Sequence, residues 1–221
     1  MLALLPQGKV PNDAQTLASF FAKAWDIWVA GGWAMIPIAI VAALMFGVGL
    51  RVFLGLLGKG HRSTPEKVWR LWLTNPDHRE GPIGELLDEV ADEPSIEASA
   101  AAFAGLRAAE VAPFDRDLKV MKVCIAAGPL FGLLGTVTGM LGTFGALASG
   151  AGGEKTMAAI AKGISEALIT TETGLVVALP GLFFHYQLAR QKERYAAFLA
   201  HLETVCTQHL FRRLAAAAKV A

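Results

Sequence analysis

Two glutamates, Glu166 and Glu172, sit in the run ISEALITTETGLVVALPGL, which holds no other acidic, basic or histidine side chain. An ionised carboxylate at the centre of a membrane helix costs about 2.5–3.5 kcal/mol on insertion scales, so such groups face a cavity or a partner. At 100° per residue, Glu166, Thr170 and Thr173 share one helical stripe. Ser165 and Glu172 lie on the neighbouring stripe, and Thr171 stands further round. A carboxyl beside hydroxyls, in a medium of low dielectric, can exchange a proton with water or with a facing acid. The chemistry on offer is therefore proton transfer rather than bond making. The plainer alternative for Glu166 is solvation or pairing with Lys162 near the end of the apolar run. Glu172 is deeper and has no basic residue close in sequence.

A second constellation precedes it, GPLFGLLGTVTGMLGTFG from Gly128 to Gly145. Gly128, Gly132, Gly135, Gly139 and Gly142 fall within roughly 80° of one another on a helix. Such a flat face lets a neighbouring backbone approach closely. Thr136 and Thr143 lie on one flank and Thr138 on the other, so the threonines serve either as packing glue or as a polar wall. Other chemistry finds little support. His201, Cys206 and His209 have only a loose metal-ligand spacing on an amphipathic tail, and a non-metal role is expected. The glycine-rich text has no Gly-Lys-Ser/Thr ending and cradles no phosphate. His185 and the tail histidines lie away from both glutamates. The expectation is no catalytic site, no metal and no cofactor.

The elements that must hold these residues follow from where charge is missing. Of the 221 residues, 54% are hydrophobic and only 18% charged, against about a quarter in soluble domains. No ionisable acid or base falls between Asp26 and Arg51, or from Val123 to Gly153, and Gly163 to Leu188 is broken only by Glu166, Glu172 and His185. Each block supplies the roughly 20 residues that cross a bilayer core. The fold class is an all-α membrane protein with three transmembrane helices that extend into the cytoplasm and assemble as an oligomeric ring. The expected division is an N-terminal amphipathic helix on the outer side (1–31), a first span (32–57), a loop with helical parts (58–122), a second span (123–149), a short outer loop (150–162), a third span (163–188) and a C-terminal helix (189–221). The Ala-rich run Ala98 to Ala109 suggests helix continuing beyond the spans. A net charge of +1 with no basic run argues against nucleic acid. Two cysteines, Cys124 and Cys206, exclude a disulfide framework. The first ten residues do not read as a cleaved signal.

Basic residues orient the chain. Residues 51–122 carry ten Lys/Arg and the tail from Tyr186 six, whereas the stretch to Gly32 has only Lys9 and Lys23, and Ser149 to Lys162 only Lys155 and Lys162. Arg51, Lys59 and Arg62 follow the first span, Lys119 and Lys122 precede the second, and Arg190, Lys192 and Arg194 follow the third. All three clusters predict a cytoplasmic loop and tail with an outer N-terminus. Asn12 or Asp13 is expected to cap a helix bearing Leu17, Phe20, Phe21, Ala24 and Trp28 on one side, lying with Trp25 and Trp33 at the outer membrane boundary.

In PLFGLLGTVTGM and GISEALITTETGLVVALP, and more weakly in GGWAMIPI, the chain resembles the ExbB/TolQ/MotA proton-channel family. The three-span layout is like ExbB and TolQ rather than four-span MotA. The resemblance implies five copies around the helices of two ExbD-like subunits, each bringing a membrane aspartate, with a TonB-like partner beyond and membrane lipid around. Glu166 matches the family's third-span glutamate, Thr136 the threonine of its GTV motif and Thr171 the third-span threonine. Glu172 departs from the pattern, where an apolar residue is usual, and Arg51 lacks the glutamate often preceding it. The implied function is coupling of proton-motive force to outer-membrane uptake. The TolQ role in envelope integrity and cell division, or a non-conducting scaffold, are the alternatives. A transporter built from inverted repeats does not fit three spans.

The charge pattern gives a direct topology test. Thiol labelling from the outer side should reach a single cysteine at position 154 and not one at position 192, and the reverse pattern would invert the orientation.

Overall fold

The computed structural model describes residues 13–60, 64–90, 93–148 and 153–220. Asn12 and Arg62, named above as a cap and as part of a basic cluster, lie outside the described residues, as do the side chains of Leu17, Phe20 and Phe21. The chain is all-α, with no strand among the described residues. It comprises α1 (Asp13–Ala30), α2 (Met35–Gly58), α3 (Glu66–Trp72), a 3₁₀ turn (Pro76–His78), α4 (Gly81–Val90), α5 (Ile96–Ala148) and α6 (Glu154–Val220).

Three of these helices, α2, α5 and α6, are long and apolar enough to cross a membrane. With 53 residues in α5 and 67 in α6, a rise of about 1.5 Å per residue makes them about 80 and 100 Å long, far beyond a hydrocarbon core of about 30 Å. The hydropathy steps at 122–123 and 162–163 are thus changes of side chain inside continuous helices. Residues 154–162, EKTMAAIAK, assigned above to a short outer loop, form the first turns of α6 instead, because Ala, Lys, Glu and Met favour helix. Likewise the Ala-rich run is part of α5. Pro113, Pro129 and Pro180 all lie within helix, a tolerance usual where neighbouring helices and hydroxyls compensate for the lost N–H.

The chain divides into two compact units, Met1–Ile40 with Ala127–Val177 and Val41–Ala126 with Ala178–Ala221. The first holds α1, the start of α2 and the facing parts of α5 and α6. Helix α1 ends on Gly32, whose left-handed backbone (φ +65°) and N–H bond to the Val29 carbonyl (3.4 Å) form a helix C-terminal cap of the type that glycine supplies.

The second unit buries Ile83, Leu86, Leu87 and Val90 of α4. Trp69 of α3 is buried edge-on to Phe198 and His201 of α6. Glu66 accepts hydrogen bonds from Arg70 and His201, which hold its carboxyl below the usual range, His201 contributing most. Tyr195, fully buried, donates to Glu110 (2.7 Å), whose same oxygen meets the Lys59 ammonium (2.5 Å). Burial first, then that hydrogen bond, pushes the phenol far above the ordinary tyrosine range. Lys192 bridges Asp115 (2.8 Å) and Glu193 (2.7 Å), and the bond to Asp115 is the main cause raising its pKa. Burial pushes the Cys206 thiol up to about 12, so it stays protonated at neutral pH and is a poor metal ligand or nucleophile. Among the described residues no cluster of His, Cys, Asp and Glu could hold a metal.

Candidate functional site

The glycine face of α5 meets the threonine face of α6. A Cβ on Gly132 would lie 3.0 Å from the Thr170 carbonyl oxygen and from Thr171 Cα, and one on Gly139 2.7 Å from the Gly163 carbonyl. On the other side, a Cβ on Gly163 would lie 2.9 Å from the Gly139 carbonyl and one on Gly174 2.7 Å from the Gly128 carbonyl. At Gly135 it would overlap the Thr170 hydroxyl and come within 2.6 Å of Thr170 Cβ. Small residues on both helices are thus what lets the two backbones touch. Thr171 Oγ1 donates across the contact to the Gly132 carbonyl (3.0 Å). Gly142 does not share in this contact: a Cβ there would meet nothing within 4 Å. It borders an open hollow instead, with Ala159 and Gly163 among the other lining residues.

That hollow is a cavity of about 290 Å³ lined by Trp33, Thr138, Gly139, Gly142, Ala159, Lys162, Gly163 and Glu166. The structure therefore brings Glu166 together with Thr138 and Lys162. Glu166 is partly buried, and among the described residues its carboxyl has no hydrogen-bond or ion-pair partner. Lys162, one turn before it, lines the cavity without forming an ion pair to it. The simple pairing considered from sequence is absent.

The remaining residues take different places. Thr170 is fully buried, and its hydroxyl donates back to the Glu166 and Ala167 carbonyls (3.1 and 3.0 Å). Thr173 donates to the Ile169 carbonyl (2.8 Å). Thr143 is buried against Gly163. Thr136 donates to the Leu133 carbonyl (2.7 Å) and lines a second, shallow hollow with Val137, Met140, Leu141 and Phe144. Glu172 is exposed. Neither Thr136 nor Glu172 lines the Glu166 cavity. On the same two helices Leu133, Val137, Leu141, Phe144, Leu168 and Val176 are all more than half exposed, apolar surface of the kind that meets lipid or other chains. The contribution of Trp33 was not apparent from spacing, since it comes from the distant turn before α2. The Gly31–Gly32 pair was the one available signal of a tight turn.

Residues 82–200 match the MotA/TolQ/ExbB proton channel family, more than half of the chain. The chain belongs to this family. Together with the three apolar helices, membership makes it a multi-pass membrane protein of a proton-channel rather than an enzyme family. An ExbB-like protein of Synechocystis sp. is 42% identical over 101 residues, 43% of this chain and 40% of that relative. The Tol-Pal system protein TolQ of Haemophilus influenzae is 30% identical over 106 residues, 46% of each chain. The biopolymer transport protein ExbB of Salmonella typhimurium is 39% identical over 74 residues, 34% of this chain and 30% of that one. The matched stretch is less than half the length of each relative.

The helix contact makes a measurable distinction between glycines of one stripe. Gly135→Leu must displace Thr170 and should destabilise the protein by about 1–3 kcal/mol or more, as overpacking does. Gly142→Leu, pointing into open space, should be tolerated. Thermal midpoints of the detergent-extracted protein will separate the two, and equal stability of both variants would remove the packing role of Gly135.

Proposed function

We propose that the protein is the channel-forming stator subunit of an inner-membrane motor. In this reading it takes up energy from the proton-motive force and passes it, through an ExbD-like subunit and a TonB-like protein, to outer-membrane transport. The observation that carries it is Glu166: an acid in an apolar helix, its carboxyl without a hydrogen-bond or ion-pair partner among the described residues, at a cavity also lined by Thr138 and Lys162. A group so placed is poised to bind and release a proton rather than to hold structure together.

Glu166 is the proton-carrying acid, and Thr136 and Thr171 line the route towards a membrane aspartate on the partner. Thr170 and Thr173 support the stripe that presents Glu166, and Glu172 is a second acid on the route. The long apolar exposure of α5 and α6 suits a ring of identical copies, read as a pentamer, enclosing the partner helices. The N-terminus lies on the periplasmic side and the loop and tail in the cytoplasm, as the basic clusters argue. A second reading, the TolQ role in envelope integrity and cell division, draws support from the TolQ relative, whose match is the longer of the two to a named system. Complementation of cells lacking one or the other system separates them.

Glu166→Gln keeps shape and hydrogen bonding and removes titration. In assembled complexes carrying the partner, proton leak into vesicles should fall by about two orders of magnitude, the scale on which a positioned proton-transfer group acts. Thr136→Val and Thr171→Val should reduce it without preventing assembly. Full flux in assembled Glu166→Gln would leave the scaffold reading. Loss in Glu172→Gln alone would move the conducting acid one stripe round the helix.

A further inference from the structure

The turn between α1 and α2 comes into contact with Glu166. Among the described residues four glycines have left-handed backbone, Gly32, Gly60, Gly81 and Gly153, and their surroundings differ. A Cβ added at Gly81 or Gly153 would meet nothing within 4 Å, and at Gly60 only Pro82 in ordinary contact at 3.7 Å. At Gly32 it would overlap Oε1 of Glu166 and lie 2.5 Å from its Cδ and 3.2 Å from its Cγ. Backbone conformation alone would admit an asparagine, but the carboxyl occupies the space any side chain needs. Two independent constraints therefore fall on one residue, and the second is set by Glu166.

The neighbouring glycine anchors the same turn. Gly31 is buried, and a Cβ there would crowd Met35 of α2 at 2.6 Å and Ile169 of α6 at 3.2 Å. Ile169 follows Glu166 by three residues, so the turn rests on one patch of α6 at two points. The bonds from Met35 N–H to the Gly32 carbonyl (3.3 Å) and from Ile36 N–H to the Trp33 carbonyl (3.1 Å) lead directly into α2, and Trp33 closes the cavity beside the carboxyl.

We propose that Gly32 is a positioning residue for Glu166: the bare backbone of the α1–α2 turn forms the seat that holds the carboxyl at the edge of the Thr138–Lys162 cavity. This rests on Glu166 being the proton-carrying acid. Because the carboxyl has no hydrogen bond or ion pair among the described residues, packing against the turn fixes its place. A seat without a donor leaves both oxygens available for protonation, whereas a salt bridge would hold the group charged. A displacement of about 1 Å can cost on the order of 10²-fold in a reaction that depends on alignment, so a single methyl at residue 32 suffices to test the seat.

The test uses the full-length complex with its partner in vesicles and two readouts: proton flux, and the rate at which a hydrophobic carbodiimide modifies Glu166, located by peptide mass spectrometry with Glu172 as internal reference. Gly32→Ala should lower flux by about 10- to 100-fold and change the Glu166 labelling rate relative to Glu172. Gly153→Ala, with similar backbone strain and no neighbour, should change neither. In a Glu166→Asp background, one methylene shorter, the further loss from Gly32→Ala should shrink to within about threefold, the mark of direct coupling. If Gly32→Ala does not assemble although Gly153→Ala does, so that backbone strain is not the cause, Gly32→Ala/Glu166→Ala must restore assembly, because the three atoms nearest a Cβ at residue 32 all belong to Glu166. Unchanged labelling and flux in Gly32→Ala, an equal effect of Gly153→Ala, or failure of the Glu166 variants to relieve Gly32→Ala would overturn the proposal. Altered labelling in Gly32→Ala, combined with full flux in Glu166→Gln, would keep the seat and remove the proton-carrying role it serves.

Discussion

Backbone-to-backbone contact between α5 and α6 is the constraint on which the membrane-facing site depends. Without a hydrophobic driving force inside lipid, two helices stay together through close packing and a few interhelical hydrogen bonds. Here the packing is given by Gly132, Gly135 and Gly139 against Gly163, Thr170, Thr171 and Gly174, and the hydrogen bond by Thr171 to the Gly132 carbonyl. Once that face is fixed, the rotation of α6 is fixed too. Thr170 must point inward, so Glu166, four residues earlier, falls at the rim of the same contact. The site is a consequence of how the helices touch, and the hydroxyls that look catalytic on a helical wheel are partly used for holding them.

The carboxyl at that rim is neither fully buried nor neutralised. A membrane helix carrying such a group loses stability relative to one carrying an alanine, and no ion pair within the described residues compensates. What the chain does supply is steric and local: a cavity also lined by Thr138 and Lys162, and a turn that leaves room for the oxygen. On the proposed function, stability is given up at one position where a titratable group is useful. The second unit shows the opposite arrangement. Buried Tyr195 with part-buried Glu110 and Lys59, and likewise part-buried Lys192 with Asp115, satisfy one another, so that these polar groups fix helix positions.

Much of this was legible in the sequence because membranes make composition informative. Apolar blocks of about the right length, two charge-free and one broken only by Glu166, Glu172 and His185, pointed to spans, and the three helices of suitable length and apolarity cover most of each. The glycine spacing from Gly128 to Gly139 identified the contact face, and the charge of Glu166 within apolar text marked the residue to watch. What stayed hidden depended on long-range packing. Gly142 belongs to the stripe by angle but borders a hollow, where a Cβ would meet nothing within 4 Å. The role of Gly32 needs Glu166, 134 positions away, to be brought beside it. Trp69, read only as part of a polar loop, is a buried docking residue because α6 supplies Phe198 and His201 to receive it. The ends of helices were obscured for another reason: hydropathy changes at the membrane surface, whereas α5 and α6 pass through that change without a break.

The central claim is that Glu166 gains and loses a proton in the working complex. The measurement that addresses it most directly is infrared difference spectroscopy of the carboxyl stretch, recorded on the partner-bound complex in sealed vesicles while the pH on one side is stepped. The account predicts a protonated-carboxyl band that appears and disappears with the step and shifts in frequency when Glu166→Asp is substituted. A spectrum with no such band, or with one that is unmoved by Glu166→Asp, would contradict it.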